Sequence, residues 1–218
     1  MLKWAVIPSC CRPNELADLV SSLVADDVDV VVVDTGYNPP WDTYHGRVTV
    51  LRDADGEKNI SRWWNTGLQY VTGWMNNHAE GEEYCVAVLN DDIRIPDKFV
   101  TQLAAALDEY GVDVSYPDQF NGGTQRYDAH RAPGLHYRMS GYAFCLRGSA
   151  GIFADETIKW WYGDDDIEWQ ARRGRGTVCV GNLTVQHLYP SSTTIGELAE
   201  QANRDRVTFE NKWRGLPW

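Results

Sequence analysis

Two adjacent carboxylates, Asp91 and Asp92, close an apolar run that begins at Tyr84: Tyr84-Cys85-Val86-Ala87-Val88-Leu89-Asn90-Asp91-Asp92. A strand that stops in acid sets hard oxygen ligands at its carboxyl end. In an α/β sheet the carboxyl ends of the strands form the crevice where ligands bind. Such ligands suit a divalent cation, and a divalent cation suits a diphosphate. A second reading of the same residues is a solvated Asp-rich turn that caps the next helix. Asp34 has a comparable place, directly after the apolar run Val28 to Val33. Further on, Asp164-Asp165-Asp166 precedes a helical segment from Ile167 to Arg173, where acids complement the helix dipole. Trp160-Trp161-Tyr162, just before these acids, offer either core packing or a flat stacking surface.

The elements that must position these residues alternate between strand and helix. Trp4 to Pro8 reads as a short strand ended by the turn Ser9 to Asn14, and Leu16, Leu19, Val20, Leu23 and Val24 then recur at helical spacing. Val28 to Val33 is almost continuously apolar, as strands covered on both faces are, so a right-handed βαβ crossover is expected. After the turn-rich Asn38-Pro39-Pro40-Trp41-Asp42, a third strand is expected at Arg47 to Leu51. The segment Asp55-Gly56-Glu57-Lys58-Asn59 leads into a helix with Ile60, Trp63, Trp64, Leu68, Val71 and Met75 on one face. Beyond the acidic strand, Phe99, Leu103, Ala106, Leu107 and Tyr110 mark a helix with Pro96 in its first turn, and Val112 to Tyr116 a further strand.

From Pro117 to Arg138 the periodicity dissolves into Gly, Asn, Asp, His and Tyr, the composition of a functional or mobile loop. A strand is expected at Ser140 to Leu146, a short helical piece at Arg147 to Phe153, and strands at Thr177 to Val180 and Leu183 to Gln186, the last bringing in His187. The polar turn Pro190 to Thr194 precedes a final helix from about Ile195 to Trp213. No internal repeat or linker breaks the series.

The 218 residues are 43% hydrophobic, enough for one substantial core. No apolar run nears the roughly 20 residues of a membrane span, and the opening Met1 to Pro8 is too quickly broken for a signal peptide, so a soluble, cytoplasmic protein is expected. A net charge of −11 argues against nonspecific binding of nucleic acid or anionic lipid. An acidic enzyme still binds an anion where a metal inverts the local field. The five cysteines, Cys10, Cys11, Cys85, Cys145 and Cys179, form an odd set without C-x-x-C spacing, which points to neither a disulfide framework nor a structural zinc site.

In this order the motifs resemble those of the family 2 glycosyltransferases. Val6-Ile7-Pro8-Ser9-Cys10-Cys11-Arg12-Pro13 looks like the family's opening strand and turn, and Val31-Val32-Val33-Asp34-Thr35-Gly36 like its second strand. Glu57 to Gly67 resembles its N-x-G-x-S-x-x-R-N-x-G segment, and Leu89-Asn90-Asp91-Asp92 sits where the D-x-D motif belongs. Met139 to Arg147 looks like the strand after the acceptor loop, and Gly163 to Glu168 like the E-D motif. The resemblance covers about residues 4 to 190. Three departures stand out: Asn90 replaces the first acid of D-x-D, Trp64 replaces the arginine before Asn65, and the E-D motif has become three aspartates.

The resemblance implies an α/β, Rossmann-like GT-A domain over residues 1–218 with a mixed, mostly parallel sheet flanked by helices. Its nucleotide-binding half would span about 1–95, its acceptor half about 96–190, and a last helix 195–218. It implies a metal-dependent, hexosyltransferase-like transfer from a nucleotide-diphosphate sugar, UDP-type favoured, to an acceptor hydroxyl of a glycan, protein or small molecule. Asp92 and His187 would hold Mn²⁺ or Mg²⁺, assisted by Asp91 or Asn90. Asp34 would accept a hydrogen bond from the base, with Pro8, Ser9 and Arg12 on the same edge, and Asn59, Arg62 and Asn65 would serve the donor. Inversion needs one carboxylate as base, Asp164 or Asp165. Gly141, Trp161 and Asp166 would serve the sugar and acceptor, Asp166 by positioning the loop or capping the helix. The Pro117 to Arg138 loop, with Tyr127, His130, His136 and Tyr137, would select the acceptor. A nucleotidylyltransferase would need a Gly-rich loop after the first strand, which Ser9 to Pro13 lacks; a non-catalytic binding protein on the same scaffold is the other alternative.

Overall fold

The computed structural model describes residues 1–36, 46–53, 56–120, 122–134, 137–189 and 196–214. In chain order the first elements are β1 (Leu2–Ser9), α1 (Pro13–Ala25), β2 (Asp29–Asp34), β3 (Val48–Arg52), α2 (Ile60–His78), β4 (Tyr84–Leu89), β5 (Ile93–Arg94) and α3 (Phe99–Tyr110). There follow β6 (Val114–Pro117), β7 (Gln125–Tyr127), β8 (Ala143–Arg147), α4 (Gly163–Arg173), β9 (Thr177–Val180), β10 (Gln186–His187) and α5 (Glu197–Lys212), with a 3-10 turn at Gly148–Ala150.

Eight strands form one mixed sheet in the order β3-β2-β1-β4-β8-β6-β9-β7. β3, β2, β1 and β4 are mutually parallel; β8 is antiparallel to both β4 and β6, β9 is parallel to β6, and β7 closes the edge antiparallel to β9. This is the expected α/β architecture of the GT-A fold. Successive residues of β1 and β2 alternate between two cores, as a strand covered on both faces must. Ala5, Ile7, Val30 and Val32 pack with Leu16, Leu19 and Leu23 of α1 and Phe99, Leu103 and Leu107 of α3. Trp4, Val6, Val31 and Val33 pack with Trp63, Trp64, Leu68 and Val71 of α2 and Ile167 and Ala171 of α4.

The strand order reverses at β1, which pairs with β2 on one side and β4 on the other. The carboxyl ends of three parallel strands, Ser9, Asp34 and Leu89, thereby come to one edge. β1 is longer than expected and includes Pro8, which pairs with Val33 but lies beyond the last β4 pair, Val6 with Val88. Its missing N–H therefore interrupts no pairing with β4.

Several expectations are corrected. Ile93-Arg94 pairs antiparallel with Gln186-His187, so β10 lies further along than the strand expected at Leu183 to Gln186. The chain must turn after β5; Lys98 takes a left-handed conformation (φ 56°) before α3, and Pro96 lies ahead of the helix rather than in its first turn. The Pro117 to Arg138 stretch contains the edge strand β7. Ser140 to Tyr142 lies outside β8, and the helical piece after Arg147 is only the 3-10 turn. Asn38 to Asp42, Asp55, His136 and Pro190 to Ile195 lie outside the described residues. Cys85, Cys145 and Cys179 are buried and free.

Candidate functional site

A cleft of about 420 Å³ opens at the carboxyl edge of β1 and β4, within the size range of small-ligand sites. One wall comprises Pro8, Ser9, Cys10 and Arg12 after β1, Thr35 after β2, and Asn90, Asp91 and Asp92 after β4. Another comprises Ile60, Trp63 and Trp64 from α2 with Trp160, Trp161, Gly163 and Asp164. Ser140, Gly141, Tyr142, His187 and Tyr189 complete the lining.

Asp91 and Asp92 are both buried, and they have different partners. Asp91 accepts hydrogen bonds from Ser9 Oγ (2.9 Å), the Cys10 amide (3.2 Å) and Arg12 Nη1 (2.8 Å). Burial pushes its carboxyl above the ordinary value, against the pull of Arg12 and Ser9. Asp92 pairs with the same Arg12 nitrogen at 2.9 Å and stands 3.2 Å from His187 Nε2. The β5–β10 pairing makes this last contact: His187 is registered opposite Ile93, and the Leu188 amide donates to the Asp92 carbonyl at 2.9 Å. Tyr142 lies against the His187 ring with centroids 4.9 Å apart.

Among the described residues no three His, Cys, Asp or Glu side chains gather into a ready metal cage. Mg²⁺-like cations are held by one or two carboxylates together with substrate phosphates and water. Asp92, with the imidazole of His187 beside it, fits that role as a partial donor set that a diphosphate would complete.

The start of α4 supplies a second group of acids. Asp164 Oδ2 accepts from the Gly141 amide at 2.7 Å, and burial raises its carboxyl above the ordinary value. Asp165, 3.5 Å from Arg138 Nη1, is pushed up to about 8 by burial and then by the charge of Asp164. Glu168, one turn on, accepts from the Met139 amide at 3.2 Å and is pushed up to about 7 by burial. These acids together fasten the Arg138 to Gly141 segment to the helix, and of them only Asp164 lines the cleft.

Other residues picked from the sequence stand elsewhere. Asp34 is buried at the end of β2, accepts from the Gly36 amide at 3.1 Å, and is next to the cleft residue Thr35. Asn59, Arg62, Asn65 and Asp166 do not line the cleft. Asn59 caps α2 by accepting from the Arg62 amide (3.0 Å) and donates to the Glu156 carbonyl (2.9 Å). Asn65 bonds both backbone groups of Ala154, each at 2.9 Å. Arg62 pairs with Asp53 at 2.6 Å. Asp166 is fully buried and takes bonds from Trp213 Nε1 (2.9 Å), Lys212 (2.8 Å) and Gln170 (2.9 Å), a fastening between α4 and α5. Of the loop residues, Tyr127 is buried against β9, His130 is exposed, and neither lines the cleft; nor does Tyr137. The sequence reading did not single out Thr35, Tyr142, Glu168 or Arg138's pairing. For Glu168 the signal was available, since positions 164, 165 and 168 share one helix face.

Residues 4–156 match the profile described as Glycosyl transferase family 2. The chain belongs to glycosyl transferase family 2. No curated protein matches it. Among solved structures, S. aureus TarS residues 1–349 superpose with a TM-score of 0.64 at 17% identity, covering 85% of this chain and 59% of that one. A longer S. aureus TarS structure gives 0.64 at 17%, covering 99% of this chain and 44% of that one. S. aureus TarS 1–349 in complex with UDP gives 0.65 at 15%, covering 97% and 72%. The chain thus spans only about three fifths of the first of these and under half of the second. At such identities the likeness is one of fold, and it places this family 2 member among GT-A structures. Among the described residues no helix is long and apolar enough to cross a membrane.

Proposed function

We propose that the chain is a glycosyltransferase that moves a sugar from a UDP-sugar to an acceptor hydroxyl, with inversion and with the help of a divalent cation. The observation that carries this is the meeting, in one cleft, of the Asp92–His187 pair with Asp164 and the Trp160–Trp161 wall. Family membership supports the transfer, and the UDP in the TarS complex supports the choice of nucleotide.

In this reading the base lies toward Asp34 and Thr35, where the Asp34 carboxylate takes the one ring N–H of uracil. The diphosphate faces Arg12, which Asp91 orients through its 2.8 Å ion pair. Pro8, Ser9 and Asn90 shape that edge. Asp92 and His187 would hold Mn²⁺ or Mg²⁺, which would neutralise charge on the departing diphosphate. The sugar stacks on the tryptophan wall. Asp164 takes the proton of the acceptor hydroxyl. Geometry favours it over Asp165, which is turned to Arg138 and, at about 8, holds its own proton near neutrality.

The test is UDP release from a panel of UDP-sugars with Mn²⁺. Asp164→Asn is expected to lower kcat about 100-fold or more, the usual scale for a general base, while calorimetric UDP affinity stays within about twofold. Asp92→Ala is expected to lose Mn²⁺-dependent turnover. Full activity in Asp92→Ala would remove the metal assignment, and lost UDP binding in Asp164→Asn would remove the base.

A further inference from the structure

Asp205 lies on α5, beyond the residues that match the family profile, and does not line the cleft. It is fully buried (0% exposed), a costly place for a carboxylate unless each oxygen is satisfied. Both oxygens are. Oδ1 accepts from the Lys159 amide at 3.0 Å and Oδ2 from the Trp160 and Trp161 amides at 2.8 and 2.9 Å, while Gln201 donates to Oδ1 at 2.7 Å.

One carboxylate spread over three consecutive amides fixes a direction of backbone, which an apolar side chain of the same volume would not do. The backbone it fixes carries Trp160 and Trp161 into the cleft wall. The same stretch is gripped from the opposite helix: the Ile60 amide donates to the Lys159 carbonyl at 2.7 Å, Ser61 Oγ bonds the Ile158 carbonyl at 2.5 Å, and Trp63 meets the Trp160 ring edge-on at 6.0 Å. α5 buries only Asp205 and Phe209 within its span. One of these two buried residues is therefore a charged group aimed at the wall. Sites that must hold a ligand in one orientation depend on such supporting contacts.

We propose that Asp205 is a positioning residue of the transferase site: it sets the tryptophan wall against which the donor's sugar ring stacks, and touches no substrate itself. This rests on the glycosyltransferase reading above.

The 218-residue chain and its Asp205→Ala, Asp205→Asn, Trp161→Ala and Asp205→Ala/Trp161→Ala variants are compared for UDP affinity by calorimetry and for UDP release from UDP-glucose and UDP-N-acetylglucosamine with Mn²⁺. Asp205→Ala is expected to bind UDP within twofold of the unaltered chain while kcat/KM for the used donor falls at least tenfold. Asp205→Asn, which keeps one acceptor oxygen, should fall in between. Because Asp205 acts through the wall, the double variant should lose less than the sum of the two single losses, a non-additivity that general loosening does not produce. Unchanged kcat/KM in Asp205→Ala, additive losses in the double variant, or an equal loss of UDP affinity each overturn the inference. If Asp205→Ala does not fold, Asp205→Asn carries the same comparison. An unaltered chain that binds no UDP overturns the UDP-sugar reading and this inference with it; UDP binding with an indifferent Asp205 overturns this inference alone.

Discussion

Asp165 and Glu168 sit where charge is least welcome, held up to about 8 and about 7 by burial. Their ordinary values are 3.8 and 4.5, so between roughly pH 4 and pH 8 the folded chain binds more protons at these groups than the unfolded chain does. Stability contributed by their neutral forms is full below pH 4, drains as pH rises through that window, and is gone above about pH 8. Asp165→Asn is never charged. Relative to the unaltered chain its Tm should therefore rise steadily from pH 4.5 to pH 8, as a pH series of thermal melts would record. A Tm difference that does not change with pH would mean the acid is ionised throughout. At this scale the sequence exposed what ends a strand: Asp91, Asp92 and His187 were legible because apolar runs point at them. Arg138 and Asp205 were not, because their partners lie across the fold and no local pattern names them. Asn59 and Asn65 were legible as motif residues, yet their bonds go to the Ala154 and Glu156 backbone, which spacing alone does not disclose.

α2 crosses β1 in close contact. A Cβ built at Gly67 falls 2.3 Å from Val6 Cγ1, a separation no real pair of carbons tolerates. Val6 is fully buried in the central strand and has nowhere to move. Gly67→Ala should therefore cost about 1–3 kcal/mol, the usual penalty of overpacking, read from denaturant melts. Val6→Ala on that background should recover part of it; a Gly67→Ala variant of undiminished stability would mean that α2 is free to lift off the sheet. Helix-period and all-apolar runs made α1, α2, α3 and the parallel strands readable in advance. β5 and β7 were not readable, and β10 only approximately, since strands of two or three residues have no periodicity and exist only through distant pairing. That pairing is what delivers His187 to Asp92.

On the scale of the whole molecule the cleft joins segments that are far apart in the chain: the turn after β1, the end of β4, the start of α2, the Ser140 to Tyr142 loop, the start of α4 and the residues around His187. Their order was visible in the family-like motifs, whereas the part proposed for α5 was not, since it lies beyond the residues, about 4 to 190, that carry the resemblance. A ligand that bridges such a cleft ties these segments together and stabilises the fold by mass action, by about 2.7 kcal/mol at 100 times its Kd. For a chain of this size each kcal/mol is worth about 2–4 °C, so saturating UDP with Mn²⁺ should raise Tm by about 5–10 °C. An acidic chain of net charge −11 repels a free diphosphate, so UDP alone should shift Tm much less. The Mn²⁺-dependent part should vanish in Asp92→Ala. Equal shifts with and without Mn²⁺ would instead leave Arg12 as the cation that holds the diphosphate, since it already sits 2.8 and 2.9 Å from the carboxylates of Asp91 and Asp92.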